Sequence, residues 1–396
     1  MQVIDAIAAR QDALTRIRRD IHAHPELAFA EHRTAELVAQ HLESLGIETH
    51  RGIGKTGVVG VITAGSSSRM IGLRADMDAL PITERNEFPH RSGTAGCMHA
   101  CGHDGHTTML LGAAEYLAAT RNFDGTVVLI FQPAEEGHGG GAAMLADGLL
   151  DRFPCSAFYG MHNWPGLPAG QFAVHSGPVM ASTDQWDIEI HGRGAHAAMP
   201  HQGLDPITTG AALVQALQTL ITRARDPLEP AVLSITQFHA GEAYNAMPDR
   251  AILRGTVRTL SEAMRQQLES QMAAVSEGIG LAHGLRSEFR YQRGYPATVN
   301  AGTEADLCVR VARQLVGDDK VRTDLRPSMG GEDFAYFAEQ RPSCYVWIGN
   351  GPGEGGCTLH NPRYDFNDAL LPVGASYWVR LAETVLQRSA LTAAKT

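Results

Sequence analysis

Short apolar runs alternate with helical stretches along the first part of the chain, and this alternation restricts the fold more than any other feature. Residues 58–63, 70–75, 126–131 and 156–161 have the apolar density of buried strands, and 107–119 and 140–149 carry helical patterning. Strands buried on both faces need helices above and below, so an α/β catalytic domain with a mixed, largely parallel sheet flanked by helices is expected. Sites in such sheets form in the crevice beyond the carboxyl ends of the strands. Residues 1–20 read as an amphipathic helix ahead of this layer.

The middle of the chain has another rhythm. Residues 185–190 alternate like a half-buried strand, 206–222 are helical, 231–238 and 252–260 are strand-like, 262–279 are helical, and 285–291 form a last strand. A β-α-β-β-α-β order is the ferredoxin-like α+β arrangement. A chain of 396 residues has room for two or three domains of about 150 residues. The expected boundaries put an inserted domain at 182–297 within a discontinuous larger domain of 1–181 and 298–396.

Composition narrows the function classes. Hydrophobic residues at 44% and charged residues at 19% suit a soluble enzyme with a substantial core. The formal net charge of −10 argues against nucleic acid or an anionic membrane surface, since both reward a basic face. An anionic small substrate stays open, because one local arginine can decide that. No run has the 18 or so apolar residues of a membrane span, and the N-terminus lacks the apolar block of a signal peptide. Cys97, Cys101, Cys155, Cys308, Cys344 and Cys357 are dispersed, so a cytoplasmic, reducing compartment is the simplest expectation.

One motif misleads. Gly52, Gly54 and Gly57 match the dinucleotide fingerprint, whose chemistry needs a helix N-terminus directly after the glycines. An apolar strand follows instead, so a turn between two strands is expected. The nucleophile elbow G-x-S-x-G does not occur.

The densest chemistry lies between Cys97 and His106, where Cys97, His99, Cys101, His103 and His106 fall within ten residues. Thiolate and imidazole are preferred ligands of zinc and similar ions. Cys101 and His103, one glycine apart, can reach a common point if the segment is extended, while His99 and His106 read as supporting residues. Glu135 and Glu136 follow the strand 126–131 and Pro133. One carboxylate can bind a metal while its neighbour serves as general base, although acidic pairs at loop starts are also commonly just solvated. His162 closes the strand 156–161, a ligand's position. His360, in Cys357-Thr-Leu-His360-Asn-Pro362, reads on its own as a surface or capping histidine. Asp76 and Asp78 end the strand 70–75 on one face, either as turn caps or as acceptors for the ring N–H of a ligand histidine.

Taken together, ordered blocks over nearly the whole chain resemble the amidohydrolase branch of the dinuclear metallopeptidase family that includes aminoacylase, carboxypeptidase G, hippurate hydrolase and indole-acetyl-amino-acid hydrolase. The blocks are His22-Ala-His-Pro-Glu26, Arg74-Ala-Asp-Met-Asp78-Ala-Leu-Pro81, Cys101-Gly-His-Asp-Gly-His106, Phe131-Gln-Pro-Ala-Glu-Glu-Gly137, Met161-His-Asn163, Gly192-Arg-Gly-Ala-His196, Met329-Gly-Gly-Glu-Asp-Phe334 and Leu359-His-Asn361. The resemblance implies Cys101, His103, Glu136, His162 and His360 as ligands of two divalent ions (Mn, Zn, Ni or Co), with Glu135 as general base. The wider family has His-x-Asp where this chain has Asp76-Met-Asp78, so both aspartates are expected to support the ligands rather than join them. It further implies that the inserted domain is a lid that also dimerises, giving a homodimer or homotetramer. In that lid His196 would bind the oxyanion and Asn245 would contact substrate; alone, His196 reads equally as a polar turn residue. The implied reaction is hydrolysis of N-acyl-L-amino acids, such as hippurate or N-acetyl amino acids, to a carboxylic acid and a free amino acid. The alternatives are a dipeptidase or carboxypeptidase of the same family, or a non-catalytic metal-binding protein on the same fold. A product carboxylate needs a positive anchor, for which Arg258 or the backbone N–H groups of Gly330 and Gly331 are available, and the glycine-rich 349–356 could shape an acyl pocket.

Overall fold

The computed structural model describes residues 1–353 and 356–388, which divide into two compact units. The first comprises Met1–Gly177, Val299–Arg326 and, from Tyr336, the remaining described residues. The second comprises Pro178–Thr298 and Pro327–Ala335. The segment Pro327–Ala335 lies outside the boundaries expected from sequence, because main-chain bonds between distant segments place it there. Ser328 N–H donates to Val179 O at 2.9 Å, and Ala181 N–H donates to Gly330 O at 2.9 Å.

The first unit is built on an eight-stranded sheet in the order Glu48–Ile53, Gly57–Ala64, Gly125–Gln132, Met70–Asp76, Ala157–Pro165, Ser343–Gly351, Phe172–Ala173, Val321–Arg322. Its centre is parallel: Met70–Asp76 pairs in parallel with Gly125–Gln132 and Ala157–Pro165, which pairs in parallel with Ser343–Gly351. The first two strands are antiparallel, and Gly52, Gly54 and Gly57 fall at the end of one, in the turn and at the start of the other, as the following apolar strand required. Gly125–Gln132 and Ser343–Gly351 are buried at every position, which is why their sequences run apolar without alternation.

Helices His32–Ser44, His103–Thr120 and Gly302–Val316 pack on the sheet, and Gln11–Ala23 and Leu371–Val385 pack on His103–Thr120. His103–Thr120 is buried through most of its length, so its apolar residues surround it instead of forming a stripe. It packs closely on Leu371–Val385: a Cβ at Gly374 would come within 2.0 Å of Met109 Sδ. The N-terminal segment forms two helices, Asp5–Ala8 and Gln11–Ala23, where one was expected. Tertiary contacts decide the break, with Ile7 buried and Ile4 N–H donating to Ser376 Oγ at 3.1 Å.

The second unit has the strand order Ala231–Ala240, Arg250–Thr259, Asp184–His191, Arg286–Arg293, all antiparallel. Helices Pro206–Thr219 and Glu262–Ala282 pack on the sheet and complete the ferredoxin-like order. Trp186, Ile188 and Ile190 enter the core with Leu213, Leu253, Leu268 and Met272. The buried Asp184 pins a helix to this sheet by accepting from Arg265 Nη2 at 2.5 Å, Tyr291 hydroxyl at 2.7 Å and Gly294 N–H at 3.0 Å. No described helix is long and apolar enough to cross a membrane.

Candidate metal centre

The first unit brings its donors together at the carboxyl ends of the parallel strands. Cys101 precedes the helix His103–Thr120, and Gly102 between them has φ 100°. A Cβ there would fall in the left-handed region and within 2.1 Å of Asn163 Nδ2, so only glycine lets the thiol and the imidazole flank this turn. The helix starts at His103, four residues earlier than its patterning suggested, which places His103 in the first turn rather than in an extended segment. His162 lies on the strand Ala157–Pro165, with Nε2 3.3 Å from Cys101 Sγ. His360 joins from a distant loop: its N–H donates to Ala100 O at 2.7 Å, and its Nε2 lies 3.2 Å from Glu136 Oε1. His103 Nε2 lies 4.0 Å from the same Glu136 oxygen. Donor atoms of Cys101, His103 and His162 lie within 4.8 Å of one another, as do those of Cys101, Glu136 and His360, and of His103, Glu135 and Glu136.

Hydrogen bonds orient these side chains. Asp78 Oδ1 accepts from His103 Nδ1–H at 3.2 Å and from Glu135 N–H at 3.0 Å, and its Oδ2 accepts from Glu136 N–H at 3.0 Å. His162 Nδ1–H donates to Asn163 O at 2.6 Å. Each imidazole therefore turns Nε2 into the cluster, and that atom of buried His103 has no hydrogen-bond partner among the described residues. Both carboxylates at 76 and 78 thus meet His103, since Asp76 Oδ2 lies 3.8 Å from its Nε2.

A second buried chain of polar groups backs the site. Arg74 donates to Asp76 Oδ2 at 2.6 Å and to Gln132 Oε1 at 2.8 Å. Asp76 Oδ1 accepts from His106 Nδ1–H at 2.6 Å, and His106 Nε2 accepts from Asn163 N–H at 3.0 Å. Asn163 donates to Cys101 O at 2.6 Å and accepts from Tyr364 hydroxyl at 2.6 Å. Both ring nitrogens of His106 are thereby taken, and His99, buried beside His22, is pushed down to about 4 by burial. Sequence reading gave no role to Gln132, Asn163 or Tyr364. Asn163 could have been found from its place directly after His162; Gln132 and Tyr364 carry no local signal.

The electrostatics favour a cation. Burial pushes the Cys101 thiol well above its ordinary value, and the charges of Glu136, Glu135 and Asp76 push the same way. Burial works against charge on His103, but Asp76, Asp78 and Glu136 outweigh it and lift the imidazole to about 10. Burial and the nearby His106 hold His162 well below its usual value. Carboxylates thus surround a sulfur and two inward-facing nitrogens, a donor set of the borderline-soft kind that suits zinc and its neighbours.

In the second unit, His196 and Asn245 are exposed neighbours. His196 pairs with Ala246 across two short strands, and Ala197 N–H donates to Asn245 O at 3.0 Å. His196 Nδ1 accepts from Ala198 N–H at 3.1 Å, which leaves the Nε2–H as its outward donor. Arg258 lies on Arg250–Thr259, half-buried, its pKa lowered by burial. Gly330 N–H is already taken by Ser328 Oγ at 3.0 Å, which corrects its place among the free anchors. Of the glycine-rich 349–356, residues 354–355 lie outside the described residues.

Known proteins place this geometry in a family. Residues 72–384 match the model of peptidase family M20/M25/M40. The chain is 43% identical to hippurate hydrolase of Campylobacter jejuni, over 96% of this chain and 99% of that protein. It is 40% identical to N-acetylcysteine deacetylase of Bacillus subtilis, over 94% and 97%. Among solved structures, the Bacillus subtilis YXEP protein, described as a dinuclear metal-binding peptidase of family M20, superposes with a TM-score of 0.85 at 37% identity, over 96% and 99%. The chain belongs to peptidase family M20/M25/M40, on its catalytic α/β fold.

Proposed function

We propose that the chain is a metal-dependent amidohydrolase that cleaves N-acyl-L-amino acids, of the hippurate or N-acetyl type, to a carboxylic acid and a free amino acid. The observation that carries this reading is the convergence of Cys101, His103, Glu136, His162 and His360 beside Glu135. Hippurate hydrolase and N-acetylcysteine deacetylase, both similar over nearly their whole length, support the substrate class.

Those five residues would hold two divalent ions, whose Lewis acidity would polarise an amide carbonyl and acidify water towards neutral pH. Glu135, buried at the edge of the cluster, takes a proton from the attacking water as its oxygen bonds to the carbonyl carbon. The C–N bond then breaks, and Glu135 returns the proton to the leaving nitrogen. Asp78 keeps the main chain of Glu135 and Glu136 in place throughout. In the second unit, His196 keeps an outward Nε2–H of the kind that can serve an oxyanion.

The test compares hippurate, N-acetyl amino acids and unblocked dipeptides with metal-reconstituted wild type and Glu135→Gln. Acyl amino acids should be cleaved far faster than dipeptides, and Glu135→Gln should retain metal while losing roughly 10²–10⁴ in kcat. Near-normal turnover by Glu135→Gln would remove Glu135 as the base, and preference for dipeptides would make the chain a peptidase.

A further inference from the structure

Three consecutive N–H groups, those of Ala134, Glu135 and Glu136, end on two carboxylates. Asp78 takes the last two, and Glu31 Oε1 takes the first at 2.8 Å. Glu31 is fully buried, and its Oε2 accepts from Thr56 hydroxyl at 2.6 Å. Its partners stand 25 and 103 positions away in sequence, so one side chain ties together three separate segments.

Each of those segments carries a non-glycine residue in the left-handed region: Phe29 at φ 60°, Lys55 at φ 80° and Ala134 at φ 54°. The Lys55 ammonium also lies over the Phe29 ring, 3.8 Å from its centre. An L-residue resists this conformation because its Cβ approaches a carbonyl oxygen. Such residues persist only where their surroundings over-determine them, and they gather at functional sites. Ala134 has no side-chain polar group with which to hold itself there, so the hold must come from outside. It sits directly before the two glutamates of the cluster.

We propose that Glu31 is a positioning residue for the reaction, holding Ala134 left-handed so that Glu135 and Glu136 leave the main chain in their working directions. It acts through that turn and touches neither substrate nor metal. The proposal rests on Glu135 and Glu136 having the roles proposed above.

The test uses full-length Glu31→Ala, Glu31→Gln and the double variant Glu31→Ala/Ala134→Gly, read by hydrogen exchange in metal-free protein and by kcat and KM after reconstitution. In Glu31→Ala, exchange at 134–136 should rise at least about tenfold while Gly125–Gln132 keeps its protection. Its kcat should fall about 10–100-fold with KM within about twofold, the scale expected when a reacting group is misplaced by about 1 Å. Glu31→Gln still offers an acceptor to Ala134 N–H, so both readouts should stay within about threefold of wild type. Glycine takes φ 54° unaided, so the double variant should regain part of the lost kcat. Unchanged exchange at 134–136, or exchange rising equally along the whole strand, would overturn the proposal, as would a Glu31→Gln variant as impaired as Glu31→Ala. Should Glu31→Ala fail to fold, Glu31→Met, which fills a similar volume but offers Ala134 N–H no oxygen acceptor, takes its place; exchange at 134–136 must rise, and no change overturns the proposal. An active Glu135→Gln would remove the base while leaving the exchange result intact, so the two failures are distinguishable.

Discussion

His103 donates its Nδ1–H to Asp78 Oδ1 at 3.2 Å, and this bond decides which imidazole nitrogen faces the donor cluster. The same carboxylate accepts the N–H groups of Glu135 and Glu136, so one aspartate orients a ligand from a helix and two carboxylates from a loop. Asp78, His103 and Glu135 are buried, so the bonds among them have little competition from water.

Asp78→Asn keeps the shape but offers a single carbonyl oxygen to three donors. Metal affinity should fall about 10–100-fold, the usual effect of losing a group that supports a ligand histidine. Titration calorimetry on metal-free protein measures it. An unchanged Kd would show that Asp78 does not orient the site.

Cys101→Ala removes the only sulfur of the cluster and leaves His162 Nε2 without its 3.3 Å neighbour. Bound metal, counted by elemental analysis after dialysis, should fall below that of wild type, and turnover should fall with it. Unchanged stoichiometry would refute the thiol's ligand role.

His22 predicts a specific pH dependence of stability. Burial opposes its charge, but hydrogen bonds to Asp104 at 2.8 Å and Glu84 at 3.2 Å outweigh burial and lift the imidazole to about 9. Because the folded value lies above the unfolded one of about 6.5, the stabilisation is fully present below pH 6.5 and is lost as pH rises through 9. Its size is on the order of 3 kcal/mol. Urea midpoints of wild type should therefore decline between pH 7 and 10 more steeply than those of His22→Gln, which starts lower. Parallel profiles would contradict the assignment.

How much of this could be read in the sequence follows from how far each interaction reaches. The parallel strands were legible because residues such as 126–131 are apolar without alternation, which only a sheet covered on both faces rewards. Cys101 and His103 announced themselves by local density. Glu136 and His162 drew attention from strand ends, whereas His360 gained meaning only through family resemblance, because its approach to Glu136 spans the whole fold. Glu31, Gln132 and Tyr364 left no trace, since each works through a partner that folding alone supplies: Ala134, Arg74 and Asn163. The N-terminal helix break and the early start of the helix at His103 were likewise set by tertiary packing, which overrides local pattern.

The most direct test is a metal titration of chelator-stripped protein with hippurate or an N-acetyl amino acid as substrate, scoring turnover against ions added per chain. Activity should be absent at the start, rise with added divalent ion, and saturate at two ions per chain. Full turnover in the stripped protein, or no turnover with any divalent ion at saturation, would contradict a metal-dependent amidohydrolase centred on Cys101, His103, Glu136, His162 and His360.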